Sequence, residues 1–168
     1  MSNPPRPTGM KDAPLFSTTA DDGAGPRAEL ADPATTIAFM LAGNAHVTFQ
    51  SRRTGTRFTY QIQSAKAREA GPGPSHFVSV LTGPDNYEYL GCIYRRNAYA
   101  HGRKSVIRYD ATSAVAFTWV WKTLSGGKMH PELGVWHEGR CGRCGRRLTT
   151  PESIASGLGP VCAVRGER

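Results

Sequence analysis

Three cysteines late in the chain, Cys141-x2-Cys144 and then Cys162 after 17 intervening residues, constrain the fold more than any other feature. A two-residue spacer lets two thiolates reach one ion where glycine lets the backbone bend tightly, and Gly142 and Gly145 supply that freedom. The stretch between the pair and the third cysteine offers only Leu148 and Ile154 as a miniature core, with a helical turn over 151–154 opened by Thr150. Such a module is too small to fold on apolar burial, whereas metal binding contributes about 10 kcal/mol or more of apparent folding free energy. A single structural Zn2+ is therefore the expected staple. His137, four positions before Cys141, is the expected fourth ligand, with His130, Glu138 or an unfilled position as alternatives. A redox pair is the competing reading of C-x2-C, but it should open a helix after a strand and needs no third cysteine.

Upstream, hydrophobic periodicity sets the architecture. Residues 1–33 are rich in Pro, Gly, Ser, Thr and Asp and read as a flexible tail, with Leu15 and Phe16 as its only adjacent large apolar pair. Asp32-Pro33 is an N-cap followed by a first-turn proline, so a short helix is expected over the next residues, stopping at Gly43. Two hairpins follow from alternating apolar positions: Val47 and Phe49 against Phe58, Tyr60 and Ile62, then residues 76–82 against 87–93 across a turn at 83–86. Residues 105–109 are a candidate fifth strand, and Asp110 a candidate cap for a second helix that carries Phe117, Trp121 and Leu124 on one face and ends at Gly126-Gly127. Cys92 is expected to be a buried small hydrophobe within its strand. The fold class is thus α+β: an antiparallel sheet with two packed helices, plus a C-terminal zinc module of treble-clef or ribbon type. The expected organisation is a tail over 1–33, an α+β domain over 34–127 and a zinc-binding module over 128–168.

Residues 141–162, read as C-x2-C-G-R-x-L-T-x-P-x-S-I-x2-G-x-G-P-x-C, resemble a zinc-binding family of unknown function found in phage, prophage and mobile-element proteins. That resemblance implies metal binding and carries no biochemical activity with it. His137 lies outside the motif, so its role is not implied.

Charge narrows the partner. The net charge of +8 is uneven: −2 over residues 1–33, +7 over 34–127 and +3 over 128–168. Basic character therefore belongs to the parts expected to fold, which favours an acidic partner. Three clusters are candidates for nucleic acid or partner binding: Arg52, Arg53 and Arg57 around the first hairpin turn; Arg95, Arg96, Tyr99, Arg103 and Lys104 in a loop that mixes cations with rings; and Arg143, Arg146 and Arg147, with Arg140, around the cysteine pair. No paired carboxylates, nucleophile with base, or phosphate-cradling glycine loop has convincing spacing, so an enzyme is not expected; a metal-dependent nuclease is the distant alternative. No apolar run approaches the ~18 residues of a membrane span, and no secretory leader is legible, so a protein of the bacterial host cytoplasm is expected. Two functions compete. One is a zinc-binding accessory protein that grips nucleic acid through basic loops. The other is a phage-type inhibitor or adaptor, of the anti-defence or anti-CRISPR kind, that binds a host protein or nucleoprotein complex.

Overall fold

The computed structural model describes residues 28–66 and 73–165; Leu15, Phe16 and the rest of the expected tail before residue 28 lie outside them. Asp32 starts α1 (Pro33–Met40) as its sequence predicts: its carboxylate accepts from the Thr35 backbone N–H at 2.7 Å and from the Thr35 hydroxyl at 2.8 Å. These bonds hold the Asp32 carboxyl below the usual range. The two expected hairpins form as β2 (Asn44–Ser51) with β3 (Arg57–Ser64) and β4 (His76–Gly83) with β5 (Asn86–Tyr94). Val47 faces Tyr60 and Phe49 faces Phe58, so one face of the pair is apolar.

The sheet is larger than the four strands legible in the pattern. It has seven antiparallel strands in the order β1-β7-β2-β3-β4-β5-β6, where β1 is Ala28–Glu29, β6 is Ala98–His101 and β7 is Leu133–His137. The fifth strand expected at 105–109 does not form. Ser105 instead donates to the Tyr89 carbonyl at 2.6 Å and accepts from the Ile107 N–H, which pins that segment as a loop. The strand lies a few residues earlier, because a 3-10 turn over Arg95–Asn97, with Asn97 at φ 58, returns the chain directly onto β5. Asp110 does not cap the second helix, α2 (Thr112–Ser125); it holds the Arg108 guanidinium through two bonds of 2.9 and 3.0 Å, and Ala111 sits at the N-cap without a side-chain bond.

No break in the sheet falls at 127/128. β7 is an inner strand, with Val135 opposite Phe49 and His137 opposite Val47 on one side and β1 on the other. Leu30, at the end of the expected tail, is 1% exposed. α2 lies across the apolar face, where Phe117 meets Tyr60 at 5.0 Å, Tyr99 at 4.8 Å and Trp121 in a stacked arrangement. Two polar tips of that cluster find partners, Tyr60 donating to the Ser113 carbonyl and the Trp121 indole to the Asn97 carbonyl, both at 2.7 Å, whereas the Tyr99 hydroxyl is buried with no partner among the described residues. The opposite face carries Asn44, His46, Thr48 and Gln50 from β2, the alternates of buried Ala45, Val47 and Phe49. Cys92 is buried, as its strand position implies. Among the described residues no helix is long and apolar enough to cross a membrane.

Candidate metal centre and its arginine rim

After β7 the chain makes a tight hairpin that presents the first two cysteines. Leu148 N–H bonds the Gly139 carbonyl at 2.8 Å and Cys141 N–H bonds the Arg146 carbonyl at 2.8 Å, bringing Arg140 opposite Arg147 in an isolated antiparallel bridge. Gly145 turns the hairpin at φ +74, a conformation that favours glycine. Thr150 then opens α3 (Pro151–Ser156) through a reciprocal capping box with Ser153, Gly157 ends it in the left-handed conformation, and α4 (Pro160–Arg165) carries Cys162 back.

The sulfurs of Cys141, Cys144 and Cys162 lie within 4.8 Å of one another. Thiolates on a tetrahedral ion with bonds of about 2.3 Å stand about 3.8 Å apart, so small side-chain adjustments suffice to close all three on one ion. The electrostatics agree. Burial works against ionising Cys141, yet N–H groups of Cys144, Gly159 and Arg143 overcome it and bring the thiol down to about 7. Burial and the two neighbouring cysteines push the Cys162 thiol up to about 11, and a cation among the sulfurs would lower it.

His137 does not join them, which corrects the expectation of a fourth ligand. It is on the apolar side of β7, 1% exposed, with its ring 5.5 Å from that of Phe39. Its Nδ1 accepts from the Gly139 N–H at 3.0 Å, so Nε2 carries the proton and donates to the Ile154 carbonyl at 2.6 Å. Both nitrogens are committed, and the Nε2 bond ties α3 to the sheet. Burial keeps the ring neutral by lowering its pKa.

Phe39, which the sequence offers only as an apolar helix position, is the hub between α1 and the cysteines. A Cβ at Gly142 would stand 2.7 Å from its ring, and one at Gly157 would stand 2.4 Å away. Gly142 is thus needed for close approach rather than for backbone freedom. Two backbone bonds seal the contact, Gly142 N–H to the Gly157 carbonyl at 2.9 Å and Asn44 N–H to the Gly142 carbonyl at 2.7 Å.

The basic candidates separate into free and committed groups. Arg143 is structural: Nε donates to the Ala42 carbonyl at 3.2 Å and Nη1 to the Cys162 carbonyl at 3.3 Å. Arg52 is ion-paired with Glu29, and Arg53 lies 4.0 Å from Glu132. Arg57 is half-buried opposite Gln50. Tyr99, expected at a binding surface, is partly buried and packs its ring against Phe117. Arg95, Arg103 and Lys104 are exposed near the β5–β6 edge, whereas the Arg96 side chain lies outside what is described. Arg140, Arg146 and Arg147 are exposed around the cysteines; Arg140 donates through one Nη to the Gly145 carbonyl at 3.3 Å, and no carboxylate pairs with the three among the described residues.

One feature of this region has no sequence signature. On the polar face of the sheet, a cavity of about 310 Å³ opens beside the cysteines, lined by Asn44, His46, Glu138, Arg140, Cys141 and Gly145. Its residues come from β2 and from the chain after β7, nearly a hundred positions apart, and are adjacent only because those strands pair.

Residues 133–165 match the family described as "Family of unknown function (DUF6011)". The match spans β7, the hairpin, α3 and α4, the whole cysteine-bearing segment. Comparison with the curated proteins and with the solved structures finds no match.

Proposed function

We propose that Cys141, Cys144 and Cys162 hold one structural zinc ion in a treble-clef-like module, and that its arginine rim binds nucleic-acid phosphate. The observation that carries the reading is the Arg140–Arg147 bridge, which sets two cations directly opposite each other with Arg146 beside them and, among the described residues, no carboxylate in pairing range. Like charges in cross-strand register are destabilising. Thiolate charge beneath offsets part of that cost, and a polyanion laid across the rim offsets the rest. Zinc in this reading orders the hairpin and α4, so that the guanidinium groups are held in place before the ligand arrives. Arg95, Arg103 and Lys104 at the far edge extend the basic surface. In context this is an accessory protein, of the phage or mobile-element kind, without base chemistry of its own.

The test is a salt titration of binding to labelled single- and double-stranded DNA and RNA. Each phosphate contact contributes roughly 0.7 to the log–log salt slope on single strands and roughly 0.9 on duplex DNA. The double variant Arg146→Gln/Arg147→Gln is expected to lower the slope by about 1.4 to 1.8 while keeping its metal. An unchanged slope, or no binding at low salt, refutes the reading. A second reading, an adaptor or inhibitor that docks on a host protein, is favoured by Val115 and Trp119 on the outer side of α2, which are 51% and 46% exposed. It predicts that bare nucleic acid is ignored and that Trp119→Ala abolishes partner binding.

A further inference from the structure

We infer that the cavity beside the cysteines binds a single guanine base, with Glu138 reading its hydrogen-bonding edge and Arg140 linking it to the phosphate-binding rim. The inference rests on, and deepens, the nucleic-acid reading above.

The cavity's polar inventory is unusual in its sign. Glu138 is an acceptor only, with no hydrogen bond from any described residue, and the Asn44 Oδ1 is a second acceptor, buried and without a partner. The Asn44 backbone is fixed, since its N–H bonds Gly142, so the amide stays at the cavity wall. A buried acceptor left without a donor is costly, and an occupant with donors on its edge removes that cost. His46 forms another wall and has no spare capacity: Gln61 donates to its Nε2 at 3.3 Å, leaving Nδ1–H to donate to the Tyr87 hydroxyl at 3.1 Å. The cavity thus offers two unmet acceptors and one cation, Arg140.

Among the common bases only guanine presents two adjacent donors, the ring N1–H and the N2 amino group, in the geometry a carboxylate accepts through both oxygens. Its O6 and N7 on the neighbouring edge are acceptors suited to a guanidinium. Adenine and cytosine would set a ring-nitrogen lone pair against one carboxylate oxygen, and uracil offers a single N–H flanked by two carbonyl oxygens. A volume of about 310 Å³ suits one base with part of its sugar. Trp136 lies on the same face, opposite Thr48 and two residues before Glu138, with its indole nitrogen above Gly134. Arg140 belongs both to the cavity lining and to the bridge with Arg147, so a strand with phosphates on the rim has a base within reach of the cavity.

The experiment measures binding of free guanosine, adenosine, cytidine and uridine 5′-monophosphates to the metal-loaded full chain by titration calorimetry, alongside salt-dependent binding of labelled oligo-uridine. Guanosine monophosphate is expected to bind about tenfold tighter than the other three, the scale of one good two-bond contact to a base edge. Inosine monophosphate, which lacks the N2 amino group, should lose most of that margin. Glu138→Gln, which puts a donor in place of one acceptor, should abolish the preference and leave oligo-uridine binding unchanged. Equal binding of the four nucleotides, or a preference that survives Glu138→Gln, overturns the guanine site while leaving the phosphate rim standing if oligo-uridine still binds. A guanine preference with no oligo-uridine binding at any salt upholds the cavity and refutes the rim instead.

Discussion

If Phe39 joins the cysteine segment to the body, adding one methyl group opposite its ring should destabilise the protein by an amount that depends on which glycine receives it. At Gly142 the backbone is ordinary and the new Cβ meets the ring at 2.7 Å and the Phe39 carbonyl oxygen at 3.0 Å, so Gly142→Ala carries an overpacking cost of about 1–3 kcal/mol. At Gly157 the overlap is closer, 2.4 Å, and the residue is left-handed at φ +71, which adds about 1–2 kcal/mol. Gly157→Ala should therefore cost about 2–5 kcal/mol. For a chain of this length each kcal/mol lowers Tm by about 2–4 °C, so Gly157→Ala should melt roughly 4–20 °C below the parent and below Gly142→Ala. Thermal and urea unfolding of the metal-saturated proteins, followed by tryptophan fluorescence, measures both. Phe39→Leu supplies the control, because it removes the ring that the methyl strikes. In a double-mutant cycle the Gly142→Ala penalty should shrink by about 1 kcal/mol or more in the Phe39→Leu background, and that of Gly157→Ala should shrink only by its steric share. Strict additivity, or a Gly157→Ala protein as stable as the parent, would show that Phe39 is not the hub.

Three further outcomes follow from the same geometry. His137→Leu should keep one equivalent of zinc by elemental analysis while losing about 1–3 kcal/mol in urea, because the part-buried Ile154 carbonyl loses its donor and the Gly139 N–H its acceptor; loss of the metal would return His137 to the ligand set. Cys162→Ala or chelation should abolish protection from hydrogen exchange over 138–165 and leave β3, β4 and β5 protected, since those strands are held by pairing and by the α2 core; global loss of protection would contradict this. Stability should fall as pH drops below about 6.5. Burial lowers the folded pKa of His46, with Glu138 opposing and Arg140 adding to the shift, and lowers that of His76 against its bond to the Leu41 carbonyl. The unfolded chain then takes up protons first, so stability is full above the unfolded pKa and is lost on acidification. His76→Gln should flatten the decline of the urea midpoint between pH 7 and pH 5, and an equally steep decline would refute this origin.

Local chemistry was legible wherever the cause lay within a few residues. Asp32 and Pro33 start α1, Thr150 starts α3, Gly126-Gly127 ends α2, and period-two alternation marks β2 to β5. The cysteine spacing itself brought three sulfurs together. What the sequence could not show was decided by pairing over long separations. β1 and β6 are too short to carry a pattern, and β7 reads Leu-Gly-Val-Trp-His, where Gly134 has no side chain and a polar His137 takes a buried position, so no apolar alternation shows. His137 looked like a ligand because proximity along the chain suggests proximity in space. The pleat of β7 put its ring on the apolar face, where the Gly139 N–H and the Ile154 carbonyl took both nitrogens. Tyr99 was read as a surface ring for want of any sign that the chain doubles back at Asn97. Composition likewise could not distinguish Arg143, spent on two carbonyls, from Arg146 and Arg147, which face solvent. A side chain's type fixes what it can bond, and only the tertiary structure decides which of its partners arrive.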